Sequence, residues 1–355
     1  MIRVSRKALV EAVGLVGSII PKGNKVNPLL GNLFVQASPA GMRLWGSNGE
    51  IDLEVSLEAE VEREYRALVP YAPFHAFLAA LRGDTVSFKE SGRLELESEA
   101  ARASFATMSP EEYPALFEGW VEPQMTLTNA ELLFILKAAY AASTEEYRGI
   151  FRGVQLESGG GKLKAVASDG YRLAMAWVEH SEQAGVCVIP RAVVGILQQL
   201  AEPGERGALG WNERGIFYRS GPYRLSARRL EGEMPDYNRV IPQAFVAKLS
   251  LPREAFLESV RRVAVLADPD NRRLDLHLDD KITLGAEGDW GRSSEVMQGE
   301  YQGPTLAFSV RAPYLLDALK YAADAEIVTL DLSGPTTPFV VRGERTMALI
   351  VPLRV

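Results

Sequence analysis

Little in this 355-residue sequence supports redox, metal or covalent chemistry. Its one cysteine, Cys187, has no partner for an internal disulfide and stands in the apolar run Val186-Cys187-Val188-Ile189. It reads as a small core residue of a protein in a reducing cytoplasm. The three histidines, His75, His180 and His277, share no metal-ligand spacing with the cysteine or with one another. No metal and no cofactor is expected. Long apolar runs are scarce as well. The longest near the N-terminus, residues 8–20, is interrupted by Glu11 and places Leu9, Val13, Val16 and Ile20 on one helical face. That pattern predicts a surface helix, not a signal peptide or a membrane span. A basic excess is missing too: 39 Lys and Arg stand against 46 Asp and Glu, a net charge of −7. Any affinity for nucleic acid must rest on where the charges lie.

Catalytic constellations are equally hard to find. Gly159-Gly160-Gly161-Lys162 lacks the spacing of a phosphate loop and the helix that should follow it, so a hairpin turn is expected. Ser168-Asp169 offers a nucleophile and a carboxylate, but no His or Lys stands in local reach as a base. A hydrolase built on these two residues is the rival from another class.

What the chain does contain is a repeat. Residues 167–174 read Ala-Ser-Asp-Gly-Tyr-Arg-Leu-Ala, a turn signal at Ser168-Asp169-Gly170 followed by strand-like alternation through Trp177. Ser47-Asn48-Gly49-Glu50-Ile51-Asp52-Leu53 repeats the pattern 121 residues earlier (168 minus 47), and Glu287-Gly288-Asp289 is a weaker echo downstream. Helices are predicted over 5–20, 128–143 and 252–267, their starts 123 and 124 residues apart. A second set opens at Val69-Pro70, Ile189-Pro190 and Val310-Arg311, spaced by 120 and 121. Strands fill the intervals. The reading is α+β: three repeated units built on antiparallel sheets, with divides placed at 1–120, 121–245 and 246–355.

Charge follows the helices. Counted over 5–21, 70–82, 128–144, 190–201, 252–268 and 311–322, the six helical spans together carry +4, so with −7 for the chain the remainder carries −11. Basic residues on solvated helix faces would be ordinary for any one helix. Six such helices in an acidic chain instead suggest one positive surface for a phosphate backbone. The candidate DNA-facing residues are Arg6, Lys7, Arg82, Lys137, Arg191, Arg261, Arg262 and Lys320, with the flanking Lys22, Lys25, Arg148 and Arg152.

The turn at 168–174 resembles the Thr/Ser-Asp-Gly-His/Tyr-Arg-Leu-Ala signature of the bacterial DNA polymerase III beta subunits, the sliding clamps. Asn27-Pro28-Leu29-Leu30-Gly31-Asn32-Leu33, Met234-Pro235-Asp236-Tyr237-Asn238-Arg239-Val240-Ile241-Pro242 and Leu349-Ile350-Val351-Pro352-Leu353-Arg354-Val355 resemble three further motifs of that family, in the same order. The resemblance implies a non-enzymatic ring around duplex DNA that tethers the polymerase and clamp-loader subunits through short peptide motifs, in the cytoplasm at the nucleoid. A scaffold that keeps the repeat without encircling DNA is the alternative. Helices packed about 8–10 Å apart decide the stoichiometry: six enclose a hole of roughly 9 Å, and twelve one of roughly 28 Å. A duplex is roughly 20 Å across, its grooves about 8 Å deep. Two chains must then close the ring head to tail. By position the contact would join Ala103 and Phe105 to Val265 and Leu266.

The resemblance also implies a partner cleft. It would include Phe151, Ser168, Gly170, Tyr171, Arg172, Leu173, Pro235, Arg239, Val240, Arg311, Tyr314, Leu349, Ile350, Val351, Pro352, Leu353 and Arg354. A peptide with glutamine, leucine and phenylalanine would set its apolar end against Leu173, Val240 and Ile350, while Arg172 and Tyr314 hold its polar groups. Arg311 stands where the family often has asparagine, and Ala72 where it commonly has a basic residue. Asn271 replaces a bulky apolar residue at the cleft rim.

Overall fold

The computed structural model describes every residue except 22–26, 115, 116, 118, 124 and 355. Lys22, Lys25 and Val355 therefore lie outside the described residues. The chain divides into two compact units. The first is Met1–Asn129 with Gln199–Arg229, and the second is Ala130–Gln198 with Leu230–Val355.

The described residues form six α-helices: α1 (Arg6–Gly17), α2 (Tyr71–Ala80), α3 (Asn129–Leu136), α4 (Arg191–Leu200), α5 (Arg253–Val263) and α6 (Ala312–Tyr321). Their starts keep the expected spacings: 6, 129 and 253 in one set, 71, 191 and 312 in the other. Ser5 caps α1, its Oγ accepting the Ala8 amide at 3.5 Å, and Leu9, Val13 and Val16 turn one face into the core. Three helices stop short of the expected spans. At α1 the Ser18 hydroxyl donates to the Leu15 carbonyl at 2.7 Å and closes the end. Beside it, a side chain on Gly17 would land 2.0 Å from the Tyr71 ring of α2. After α3 and α5 the chain tightens into 3₁₀ turns at Lys137–Ala141 and Ala264–Leu266.

Each unit carries two sheets, and every strand pair is antiparallel. The first unit holds a five-stranded sheet that ends at Ala101–Phe105, and an eight-stranded one. The second holds a nine-stranded sheet, and a four-stranded one that ends at Gly291–Met297. In the nine-stranded sheet Phe256, Val260 and Val263 of α5 and Leu315 and Leu319 of α6 join Leu249, Leu330 and Ile350 in one buried core. Burying a Leu, Ile or Phe side chain contributes roughly 1.5–3 kcal/mol.

Three repeats become two units because the large sheets run across the repeat divides. Strand Tyr223–Arg228 pairs with Ile51–Leu57, and strand Arg172–Glu179 pairs with Thr346–Ile350. Each pairing welds half of the middle repeat to one neighbour. The glycine-rich stretch before Lys162 is the expected hairpin: Gly160 and Gly161 both have positive φ, 61° and 76°, between the paired Gly159 and Lys162. No helix among the described residues is long and apolar enough to cross a membrane.

Candidate partner cleft and basic surface

The Ser168-Asp169-Gly170 turn is held by its own side chains. The Ser168 hydroxyl donates to the Arg172 carbonyl at 2.8 Å and accepts the Gly170 amide at 3.1 Å. Asp169 Oδ1 accepts the amides of Tyr171 and Arg172 at 2.9 and 3.0 Å. Gly170 takes φ +88°, a region costly for residues with a Cβ. These bonds answer the hydrolase alternative. Ser168 is committed to the backbone, and Asp169 to the turn and to Arg172. The same lock recurs in the first unit: Ser47 Oγ accepts the Gly49 amide, Asn48 Oδ1 accepts those of Glu50 and Ile51, and Gly49 has φ +90°.

Beside the turn, in the second unit, lies a cavity of about 290 Å³. Alternation along the strands builds its floor. Leu173 pairs with Ser168 on one side and Leu349 on the other, and Leu349 pairs with Val340. Val166, Leu173, Val340, Met347 and Leu349 form a small buried cluster, with Tyr237, Ile241 and Val351 packed on it. Exposed Tyr171 and Val240 stand at the rim. Of the expected cleft residues the cavity brings together Phe151, Ser168, Gly170, Tyr171, Arg172, Leu173, Pro235, Val240, Leu349 and Val351.

Tyr237 fixes the wall that carries Pro235 and Val240. Its hydroxyl donates to Glu157 Oε2 at 2.9 Å. Burial first, and then the Glu157 charge, push this phenol far above its ordinary value. Asp236 caps the short 3₁₀ turn Tyr237–Arg239 by accepting the Asn238 amide at 3.1 Å. Sequence reasoning missed Gln155, Val166, Met234, Asp236, Tyr237 and Pro338 in the lining. Two of them carried a signal, since Gln155 and Val166 are cross-strand partners and Val166 shares its face with Ser168.

Two expectations need correction. Ile350 does not face the cavity. It is 1% exposed and packs in the core on the opposite face, because side chains alternate and both its neighbours, Leu349 and Val351, line the cavity. Arg172 is not free to hold a ligand. Its Nε lies 3.0 Å from Asp169, one terminal nitrogen 2.7 Å from Asp317, and the other donates to the Tyr140 carbonyl at 3.0 Å. Its guanidinium also lies over the Tyr314 and Tyr140 rings, at 4.6 and 5.3 Å. It is an internal strut between the turn and α6.

The remaining cleft residues fall around this cavity. Arg239 is 84% exposed and pairs with Asp236 at 3.3 Å. Arg311 and Tyr314 line a neighbouring cavity that shares Tyr171 and Arg172 with the first. Pro352, Leu353 and Arg354 line neither. The tail is tied down all the same: the Val351 amide donates to the Tyr171 carbonyl at 3.0 Å, and the Leu353 amide to the Ser309 carbonyl at 2.7 Å.

The basic candidates separate into two groups. Arg148, Arg261, Arg262 and Lys320 are paired with Glu145, Glu258, Glu295 and Asp317. Arg6 donates to the Gly83 carbonyl at 2.6 Å. Lys7, Arg82, Lys137, Arg152 and Arg191 are exposed. Lys137, Arg191 and Lys320 come together around a cavity of about 470 Å³ in the second unit. No grouping of His, Cys, Asp and Glu suited to a metal ion occurs among the described residues.

Comparison with known proteins accounts for this arrangement. Three family models of the DNA polymerase III beta subunit match in order: the N-terminal domain over residues 1–117, the central domain over 127–236 and the C-terminal domain over 238–352. The chain belongs to the DNA polymerase III beta subunit family. The beta sliding clamp of Caulobacter vibrioides is 29% identical over 373 residues, covering 99% of both chains. That of a Synechocystis strain is 27% identical, covering 92% of this chain and 93% of its own. The Pseudomonas aeruginosa clamp bound to griselimycin superposes with a TM-score of 0.93 at 22% identity, over 99% of each chain. A Caulobacter crescentus clamp with PEG at a proposed beta-motif tethering region gives 0.93 at 24% identity, over 100% of this chain and 99% of its own. This beta subunit is accordingly a sliding clamp and processivity factor, a non-catalytic accessory subunit whose partners are DNA and the polymerase.

Two further features bear on how such a clamp assembles. Among the described residues strand Ala101–Phe105 pairs only with Leu94–Ser98 and is a sheet edge. Phe105 packs edge-to-face on Phe74 and Phe77 behind it. Strand Gly291–Met297, among the described residues, pairs only with Ile282–Gly288 and is also an edge. Beside it Val265 and Trp290 are 76% and 88% exposed, and a Cβ on Gly291 would touch the Leu266 side chain at 4.0 Å. Trp290 and this edge were not anticipated from the sequence. A hairpin tip carries no periodicity to announce them.

Proposed function

We propose that two copies of this chain close head to tail around duplex DNA and hold partner proteins by short peptides inserted at the cleft. The observation that carries the peptide reading is the cavity floored by Leu173 and Leu349 and rimmed by Tyr171 and Val240. A preformed apolar slot of that size takes a few anchoring side chains, and such anchors supply most of the affinity in peptide recognition. The anchors would be Leu173, Val240, Leu349 and Val351. The polymerase and the clamp loader are the proposed bearers of such peptides. Calorimetric titration of a peptide containing glutamine, leucine and phenylalanine tests it. Leu173→Ala should cost roughly 1–3 kcal/mol of affinity, and undiminished binding would place the peptide elsewhere.

Ring closure rests on the two edges. Joining Ala101–Phe105 of one copy to Gly291–Met297 of the next would satisfy both rows of backbone groups and cover Val265, Leu266 and Trp290. Lys7, Arg82, Lys137, Arg152 and Arg191 are the proposed phosphate contacts, loose and indifferent to sequence. The three repeats of the proposed ring would span 1–120, 121–245 and 246–355.

A further inference from the structure

The cavity next to the apolar slot has a chemistry of its own. It measures about 540 Å³ and shares Tyr171 and Arg172 with the slot. Four arginines line it, Arg148, Arg172, Arg191 and Arg311, against three carboxylates, Glu145, Asp169 and Asp317. The carboxylates are already taken. Glu145 binds Arg148 at 3.0 Å, and Asp169 and Asp317 bind Arg172 at 3.0 and 2.7 Å. Arg191 and Arg311 keep no acidic partner among the described residues. Arg311 lies 5.3 Å over the Tyr314 ring, and its Nε is buried with no hydrogen-bond partner. Folded proteins rarely leave a buried N–H without an acceptor, least of all on a cation.

We propose that this cavity is the anion subsite of the peptide site and takes the Asp or Glu side chain of a bound partner peptide. The proposal rests on the peptide reading above and adds the chemical class of residue that the peptide must present. A carboxylate brings acceptors only and can meet Arg311 through two parallel hydrogen bonds. A carboxamide would bring an NH₂ group into a pocket already rich in donors. A phosphate of DNA is acceptor-only too, but the wall shared with the apolar slot lets one short peptide fill both cavities.

The test uses two labelled peptides with the same apolar end, differing only in Glu or Gln at the polar end. Each is titrated by fluorescence anisotropy into the full chain. The Glu peptide should bind roughly tenfold tighter at low salt, and the gap should narrow as salt rises. Arg311→Asn should close the gap, and Arg311→Lys should keep much of it. Both variants are checked by thermal unfolding, so that a folding defect is not read as lost preference. Equal binding of the two peptides to the wild type overturns the subsite, as does a preference unchanged in Arg311→Asn. Failure of both peptides to bind removes the peptide site itself, and the subsite with it. An Arg311→Asn protein that loses retention on circular DNA and keeps the peptide preference would assign the cavity to phosphate and refute the proposal.

Discussion

Replacing Arg172 with methionine removes the guanidinium while keeping much of the side-chain volume, and it separates a strut from a ligand-binding group. The arginine side chain is 15% exposed, so solvent does little to screen its contacts. Three partners are affected. The Tyr140 carbonyl loses its charge-assisted partner, at about 1–3 kcal/mol if no water replaces it. Asp317, 35% exposed, can rehydrate at small cost. Asp169 keeps the Tyr171 and Arg172 amides and stays satisfied. The sum is about 1–3 kcal/mol, reaching at most the lower end for breaking a buried ion pair. For a domain of 150–250 residues that corresponds to roughly 2–12 °C in Tm. Thermal unfolding followed by near-UV circular dichroism is the assay, with Arg239→Met as the matched control. Arg239 is 84% exposed in its pair with Asp236, and its loss should cost less than about 1 kcal/mol. An Arg172→Met protein that melts with the wild type but no longer binds peptide would refute the strut and restore the role suggested by the sequence.

Other outcomes follow from the same geometry. Leu266→Asp should yield monomers by light scattering that leave closed DNA circles, and a variant still dimeric at micromolar concentration would move the contact elsewhere. Wild-type protein should stay on closed circles at moderate salt and run off once the circle is cut; equal retention on both forms would contradict encirclement. Gly170→Ala and Gly49→Ala, at φ +88° and +90° with no Cβ clash in either case, should each cost about 1–2 kcal/mol, but only the first should weaken peptide binding. The Arg262 hydrogen bond, then that of Ser259, holds the Glu295 carboxyl below its ordinary value of 4.5. Its stabilisation is therefore present above 4.5 and lost as pH falls through the lowered folded value. The Tm difference between wild type and Glu295→Gln should be flat above that range and vanish below it.

Local patterns made much of this molecule legible. Capping residues, turn glycines and helix spacing located six helices and the repeat, because each of those signals acts within a few residues. The cleft was legible as a set of motifs but not as a geometry. Ile350 was placed on the wrong face because strand alternation was not carried through the tail. The role of Arg172 was hidden because its partners Tyr140 and Asp317 are 32 and 145 residues away. The two-unit division was invisible for a similar reason. Pairing of Ile51–Leu57 with Tyr223–Arg228 depends on which sheet edges meet, and no local propensity encodes it. The unpaired Nε of Arg311 is a property of its surroundings and not of its type.

The position of strand Thr346–Ile350 inside the nine-stranded sheet also sets a timetable for synthesis. It lies between Arg172–Glu179 and Phe339–Arg342, so the second repeat's strands wait, with one side unpaired, for residues made long after them. Leu349 and Val351 complete the cleft floor. A nascent or prematurely terminated chain can form the first unit's local structure but cannot offer a competent binding slot. A peptide that docks in the proposed slot would thus require a chain synthesised through residue 351. The delay has a hazard: sheets that depend on distant pairing form slowly and leave edges open to aggregation. Ribosome-stalled chains of this protein should therefore be held by chaperones until residue 351 has emerged.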